Sequence, residues 1–304
     1  MTSPATTATI GFLGIGAMGL PMARRIHEAG MPISTADLNA AQVDKARELG
    51  MPSSTDIASL SECSVLFVVV ATGEQLLGLL RGGLMTGTGP CRTVVVMSTV
   101  GVDAVQAFES DLSARNIAVV DCPLTGGVVG AESGELSLFV AGNQQPVEEV
   151  RTILEVIGQP KYCGPNVGDG QSVKMVNQLL AAANLAVAAE AMDFAKALGL
   201  DPESTLGLVS VGAGGSWMLK DRGPRMAQPA QDRPVLTHLT IFAKDTALVL
   251  NTAQKIGFRA SILEVVAKNF QEAVASDLGA MDDSSVVDLD RRLSLNQSSS
   301  DGTT

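Results

Sequence analysis

The sequence predicts an α/β protein in two parts: a doubly wound, mainly parallel sheet over residues 9–165, then an all-α domain over 166–290 built on a long interdomain helix. Three observations carry that expectation. A glycine-rich turn, Gly14-Ile15-Gly16-Ala17-Met18-Gly19, joins a strand-like run to an amphipathic stretch near the start. Short, almost continuously apolar runs then alternate with helical patterns as far as Gly164, as strands buried on both faces must. Beyond Gly164-Pro165 strand signals nearly vanish, and apolar residues recur at intervals of three and four.

Thr9-Ile10-Gly11-Phe12-Leu13 reads as the first strand, and Met22, Ala23 and Ile26 mark the buried face of the first helix. Between them Gly14 permits the tight turn, Gly16 lets backbone approach a pyrophosphate, and Gly19 lets the helix pack close to the sheet. Phosphates would rest on the helix N-terminus, where free N–H groups and the dipole favour an anion. This strand-turn-helix context predicts a Rossmann-type dinucleotide site at Gly14, Gly16 and Gly19. A second strand over 31–36 ends at Asp37, whose carboxylate suits ribose hydroxyls and repels a 2′-phosphate. Leu38 and Asn39 beside it supply no cation, so NAD is expected rather than NADP. An Asp at this turn serves equally to cap a helix beginning near Ala40.

Runs at 65–70, 93–97, 117–120 and 136–140 continue the strands, and Pro146 opens a helix ending near Gly158. From 171 to 198 apolar residues fall at Val173, Val176, Leu180, Ala183, Val187, Ala191, Phe194 and Leu198, with no internal Pro or Gly. One long helix fits, with Gly199 as its stop. Further helical patterns cover 202–209, 234–256 and 261–275. Residues 1–8 are expected to form a flexible N-terminus and the Ser-rich stretch 291–304 a disordered tail.

The net charge of −11 over 304 residues, with no Lys/Arg cluster, argues against a nucleic-acid partner. Cys63, Cys91, Cys122 and Cys163 are widely spaced and only His27 and His238 accompany them, so neither a metal site nor a disulfide framework is expected. The thiols read as small buried hydrophobes in a reducing compartment. The polar start has neither the apolar core of a secretory signal nor the arginines of a transit peptide, and the apolar runs are short for a membrane span. A cytoplasmic location without membrane attachment follows as the expectation.

Two further places carry chemistry. Thr125-Gly126-Gly127, following a strand, offers a hydroxyl and bare backbone N–H groups to an anion such as a carboxylate, though a glycine-rich turn between two strands has the same composition. Lys174 and Asn177 lie one turn apart near the start of the long helix, after Gly168-Asp169-Gly170. The dipole disfavours a charged lysine there, so Lys174 is suited to exchange a proton with a substrate hydroxyl while Asn177 holds that oxygen. A solvated surface lysine is the plainer alternative.

Four motifs in order resemble the β-hydroxyacid dehydrogenases, the 3-hydroxyisobutyrate dehydrogenase-like family. They are Gly11-x-x-Gly14-x-Gly16-x-Met18-Gly19-x-Pro21-Met22-Ala23, Asp121-x-Pro123-x-Thr125-Gly126-Gly127, Gly168-x-Gly170-x-x-x-Lys174-x-x-Asn177-Gln178, and Lys244-Asp245. The resemblance implies that Lys174 is the catalytic acid/base, that Thr125, Gly126 and Gly127 bind the substrate carboxylate, and that Asn177 steadies the substrate. It implies cofactor contacts at Met18 and Thr99 besides Gly14, Gly16, Gly19, Asp37 and Leu38, with Lys244 closing over the nicotinamide end. Trp217 would wall the pocket, unless it is simply a core aromatic.

Within the family, 174–192 and Ser216-Trp217-Met218 with Arg222 look most like the L-threonate dehydrogenase group. That implies NAD-dependent oxidation of a C4 sugar acid in the cleft between domains, by a homodimer or homotetramer assembled through the helical domain. Thr125 replaces the usual serine, Asn184 the usual histidine, and Gly101-Val102 the usual Ser-Pro. Competing readings are 3-hydroxyisobutyrate oxidation, semialdehyde reduction, and a dinucleotide-binding protein without turnover. Lys174 and Asn177 favour catalysis, and Lys174 separates the chain from imine reductases of similar architecture, which usually lack that lysine.

Overall fold

The structure of the protein, a computed structural model, describes residues 9–81 and 89–290; the expected flexible start and disordered tail lie outside the described residues. The chain divides into two compact units, the first ending at Lys174 and the second beginning at Met175.

In the first unit β1 (Ile10–Leu13), α1 (Gly19–Glu28), β2 (Ile33–Ala36), α2 (Ala40–Glu48) and β3 (Ser53–Ser54) form the opening half. The next are β4 (Val65–Val68), α3 (Gly73–Gly78), β5 (Thr93–Val96), α4 (Val102–Ser113) and β6 (Ala118–Asp121). These six strands run parallel in the order β3-β2-β1-β4-β5-β6, so the strand order reverses between β1 and β4, beside the glycine turn. Every residue of β1, β4 and β5 is buried, because helices cover both faces of the sheet; hence the unbroken apolar runs. One core layer gathers Phe12, Met22, Ile26 and Phe67, and the opposite layer Leu66, Val94, Phe108 and Leu112.

The sheet continues through β7 (Leu124–Thr125), α5 (Gly127–Ser133), β8 (Leu136–Ala141), α6 (Gln144–Ile157) and β9 (Gly158–Gly164). Here it turns antiparallel: β8 opposes β6 and β7, and only β9 runs parallel to it. The alternating burial along the first residues of β8 suits that setting. Sequence reading leaves β9 out, since Gly158-Gln159-Pro160-Lys161 lacks a strand pattern; its pairing with β8 alone makes it an edge, where proline and lysine are tolerated.

Helix α7 (Asp169–Ala197) starts in the first unit and runs on into the second, which also contains α8 (Pro202–Val209), α9 (Trp217–Ala227), α10 (Leu239–Lys255) and α11 (Ser261–Ala273). By length and composition α7 alone among the described residues could cross a membrane, yet its Met175, Ala182, Leu185, Ala188 and Met192 lie in the core of this unit. The opposite stripe, Val176, Leu180, Val187, Phe194 and Leu198, is more than half exposed in the single chain. Helix α10 begins at Leu239, not at the expected Pro234, because the preceding residues are drawn into extended pairing: Leu236 and Thr237 N–H groups donate to Asp282, and His238 bridges Asp282. Helix α9 is absent from the sequence reading because Gly223-Pro224 interrupts its pattern. Ser216 caps it, and buried ion pairs of Arg222 and Arg225 with Asp283 and Asp282 hold it.

Candidate active site

The turn after β1 is built as the glycine spacing requires. Gly14 has φ +90°, and a Cβ there would lie 1.8 Å from the Val69 carbonyl oxygen; one on Gly19 would lie 1.9 Å from the Gly14 oxygen. A Cβ on Gly16 would meet no atom within 4 Å, so no packing within the described residues requires a glycine there. Helix α1 begins here without a side-chain cap and without an acidic first turn, leaving its positive end to an anion. Met18 is its N-cap residue.

Asp37 ends β2 as expected, and Asn39 rather than Asp37 caps α2, its side chain accepting from the Ala41 N–H. One Asp37 oxygen accepts from the Ile15 N–H at 2.8 Å, the other from the Asn39 N–H at 2.8 Å. The carboxylate is thereby fixed against the glycine turn, with lone pairs left for further donors. Leu38 beside it is 84% exposed.

Thr125 closes β7, paired with Ser137 of β8, and Gly126 and Gly127 follow at φ +130° and +65°. The glycines therefore form the joint between a strand and α5, a backbone that other residues adopt only under strain. Thr99 lies in the segment after β5, where the Ser98 hydroxyl accepts from the Val70 N–H at 2.6 Å and ties the ends of β4 and β5 together.

Lys174 sits in the second turn of α7 and is 6% exposed, which removes the solvated-lysine alternative. The start of its helix is held by two buried residues that sequence reading did not single out. Asp121 accepts from the Gly168 and Gln171 N–H groups at 3.0 and 2.9 Å, and Gln171 bonds onward to the 98–101 segment. Gly170 allows this approach, since a Cβ there would stand 2.6 Å from the Phe139 oxygen and 2.9 Å from Asp121 Oδ2. Burial pushes the Asp121 carboxyl up from its usual range, against the N–H bonds that favour its charged form. The same burial, with the Asp121 charge added, raises the Cys122 thiol.

Within the second unit Asn177 and Lys244 are joined through two more residues that sequence reading left unassigned. Asn177 Nδ2 donates to Gln178 Oε1 at 2.9 Å, Gln178 Nε2 donates to Asp245 Oδ2, and Lys244 Nζ pairs with Asp245 Oδ1 at 2.7 Å. Gln178 and Asp245 are both buried, so the chain of contacts fixes the residues at its two ends. Trp217 is no core aromatic: it is 55% exposed, with the Arg222 guanidinium 5.4 Å from its ring centroid. Asn184 is exposed on α7, about 15 Å along the helix from Lys174 by helical rise.

Comparison with known proteins fits this arrangement. The family model for the NAD binding domain of 6-phosphogluconate dehydrogenase matches residues 9–198, and that for the NAD-binding of NADP-dependent 3-hydroxyisobutyrate dehydrogenase matches 168–289. L-threonate dehydrogenase of Cupriavidus necator is 30% identical over 282 residues, 91% of this chain and 94% of that protein. The crystal structure of 3-hydroxyisobutyrate dehydrogenase from Salmonella typhimurium covers 93% of this chain and 99% of its own at 27% identity, with a TM-score of 0.85. A variant imine reductase from Myxococcus stipitatus covers 94% of this chain and 99% of its own with a TM-score of 0.60, but at 16% identity it shares the fold alone. With both family models matched in order, the chain belongs to the 3-hydroxyisobutyrate dehydrogenase-like family of NAD(P)-dependent hydroxyacid dehydrogenases.

Proposed function

We propose that the enzyme oxidises the hydroxyl of a C4 sugar acid such as L-threonate with NAD, using Lys174 as general acid/base. The observation that carries this reading is the burial of Lys174 in the second turn of α7, since lysines are seldom buried without a specific interaction or role. Thr125 Oγ1 and the Gly126 and Gly127 N–H groups receive the substrate carboxylate. Lys174 Nζ takes the hydroxyl proton, Asn177 steadies the same oxygen, and Trp217 walls the pocket. Gly14, Gly16, Met18, Gly19 and Thr99 hold the dinucleotide, Asp37 and Leu38 its adenosine end, and Lys244 its nicotinamide end. The bound cofactor supplies the hydride acceptor. Several relatives, including those of Cupriavidus necator and Escherichia coli, are named L-threonate dehydrogenase, which supports a sugar acid as substrate. The cytoplasm is the proposed location, on the wide spacing of the four cysteines in the sequence.

One assay tests substrate and cofactor together. Threonate, erythronate, 3-hydroxyisobutyrate, glycerate and 3-hydroxypropionate are compared by steady-state reduction of NAD and of NADP. The C4 sugar acids with NAD should give the highest kcat/KM, and Asp37→Ala should narrow the gap between the cofactors, because it removes the charge that repels a 2′-phosphate. A clear preference for 3-hydroxyisobutyrate would defeat the sugar-acid reading, and NADP used at least as well as NAD would defeat the role of Asp37.

The exposed stripe Val176, Leu180, Val187, Phe194 and Leu198 supports a second copy of the chain as its cover, giving a homodimer or homotetramer through the helical unit. Light scattering at micromolar concentration should therefore report an oligomer; a monomer there removes the proposal.

A further inference from the structure

Asp121 and Gln171 are polar side chains with no exposed surface, and three segments of the first unit meet on them. The Gln171 amide makes all four of its hydrogen bonds. Its oxygen accepts from the Val100 and Gly101 N–H groups at 3.1 and 3.0 Å, and its nitrogen donates to the Ser98 carbonyl at 3.0 Å and to Asp121 Oδ1 at 2.9 Å. Asp121 Oδ2 accepts in turn from the Gly168 and Gln171 backbone N–H groups, anchoring the first turn of α7 to the end of β6.

The three segments are the ones that carry the chemistry. Residues 98–101 contain Thr99, on the cofactor side. Asp121 precedes the loop that ends in Thr125-Gly126-Gly127. Gln171 lies one helical turn before Lys174, on the same face of α7, so whatever fixes Gln171 fixes the stem of Lys174. Filling volume needs no such arrangement, since an apolar side chain of similar size would pack without desolvating an amide and a carboxylate. What the polar pair adds is direction. It sets the register of α7 against the 98–101 segment through bonds that a slide of about 1 Å would break.

We propose that Gln171, braced by Asp121, is a positioning residue that holds Lys174 and the cofactor-side segment 98–101 at a fixed spacing, so that proton and hydride leave the substrate in one geometry. The proposal rests on the reading of Lys174 as the general base. A displacement of about 1 Å between reacting groups is worth on the order of 100-fold in rate, while substrate and cofactor contacts made elsewhere are left in place.

The test is a double-mutant cycle. Gln171→Met keeps the volume and loses all four side-chain bonds; Gln171→Asn keeps the amide but shortens its reach by one methylene, and serves if the Met variant does not fold. In protein with an unchanged circular dichroism spectrum, kcat should fall roughly 10- to 100-fold while KM for the hydroxy acid moves less than about 3-fold. In a Lys174→Ala background the same substitution should cost clearly less than it does in the parent protein, because the part of its effect that acts through the lysine is already lost. A folded single variant with kcat near that of the parent protein overturns the proposal. So does a full multiplicative loss in the double variant, the sign of a general loss of structure. Near-normal turnover of Lys174→Ala by itself sinks the underlying assignment of the base, and is read separately from either result.

Discussion

Replacing Lys174 with Ala should lower turnover by about two to four orders of magnitude, the usual contribution of a general acid/base, equivalent to about 2.7–5.5 kcal/mol of transition-state stabilisation. Cofactor affinity should persist. The groups proposed to bind the dinucleotide phosphates and adenosine are the glycine turn after β1 and Asp37, and neither takes its geometry from the lysine. Titration of NADH fluorescence beside steady-state rates separates the two effects, and Lys174→Met, which keeps the length of the stem, controls for the volume removed from a buried position. Lys174→Arg should be nearly as inactive as Ala, since a guanidinium does not give up its proton in a protein. A variant that keeps near-normal turnover would exclude the role.

How much of this was legible in the chain depends on whether the cause is local. The turn Gly14 to Gly19 was legible because each glycine answers a demand of its own backbone, and Asp37 because the strand that carries it ends one residue earlier. Helix α7 was legible as a helix, yet the apolar residues that betray it, Val176, Leu180, Val187 and Phe194, form the face left exposed; the core side is largely alanine and methionine, which periodicity weighs lightly. Asp121, Gln178 and Asp245 appear in the sequence as motif letters without a task, and Gln171 as an unspecified position between Gly170 and Lys174. Their meaning is in partners 47 to 73 residues away, a spacing that no window of sequence reports. Helix α9 was missed for the same reason: Gly223-Pro224 argues locally against a helix, and ion pairs to residues 282 and 283 override it.

Those ion pairs predict the largest effect on stability. Asp283→Ala should cost the helical unit about 3–5 kcal/mol, the penalty for leaving a buried charge without its partner. The side chain of Asp283 has no exposed surface, and Arg222 Nε and Nη2 grip it as a fork, with Nη2 at 2.8 Å. Burial pushes the Asp283 carboxyl up, and the Arg222 charge pulls the other way. Once Asp283 is gone, Arg222 keeps, among the described residues, the half-buried Asp221 and the face of Trp217, too little to replace its bonds to a buried carboxylate. Asp282 beside it stays bonded to Arg225, to the Leu236 N–H and to Ser284, so the loss should be local to the join between α9 and the 282–288 segment. Burial alone would raise the Asp282 carboxyl; those hydrogen bonds and the Arg225 charge outweigh it and hold it down at about 2. Trp217 is the single tryptophan of the chain and stacks on Arg222, so urea unfolding followed by its fluorescence reports this region directly. Replacing both partners with apolar groups, Arg222→Met with Asp283→Leu, should recover most of the loss, because no unpaired charge then remains. If Asp283→Ala cost less than about 1 kcal/mol, the pair would be behaving as a solvated surface bridge, and its part in holding α9 together would have to be given up.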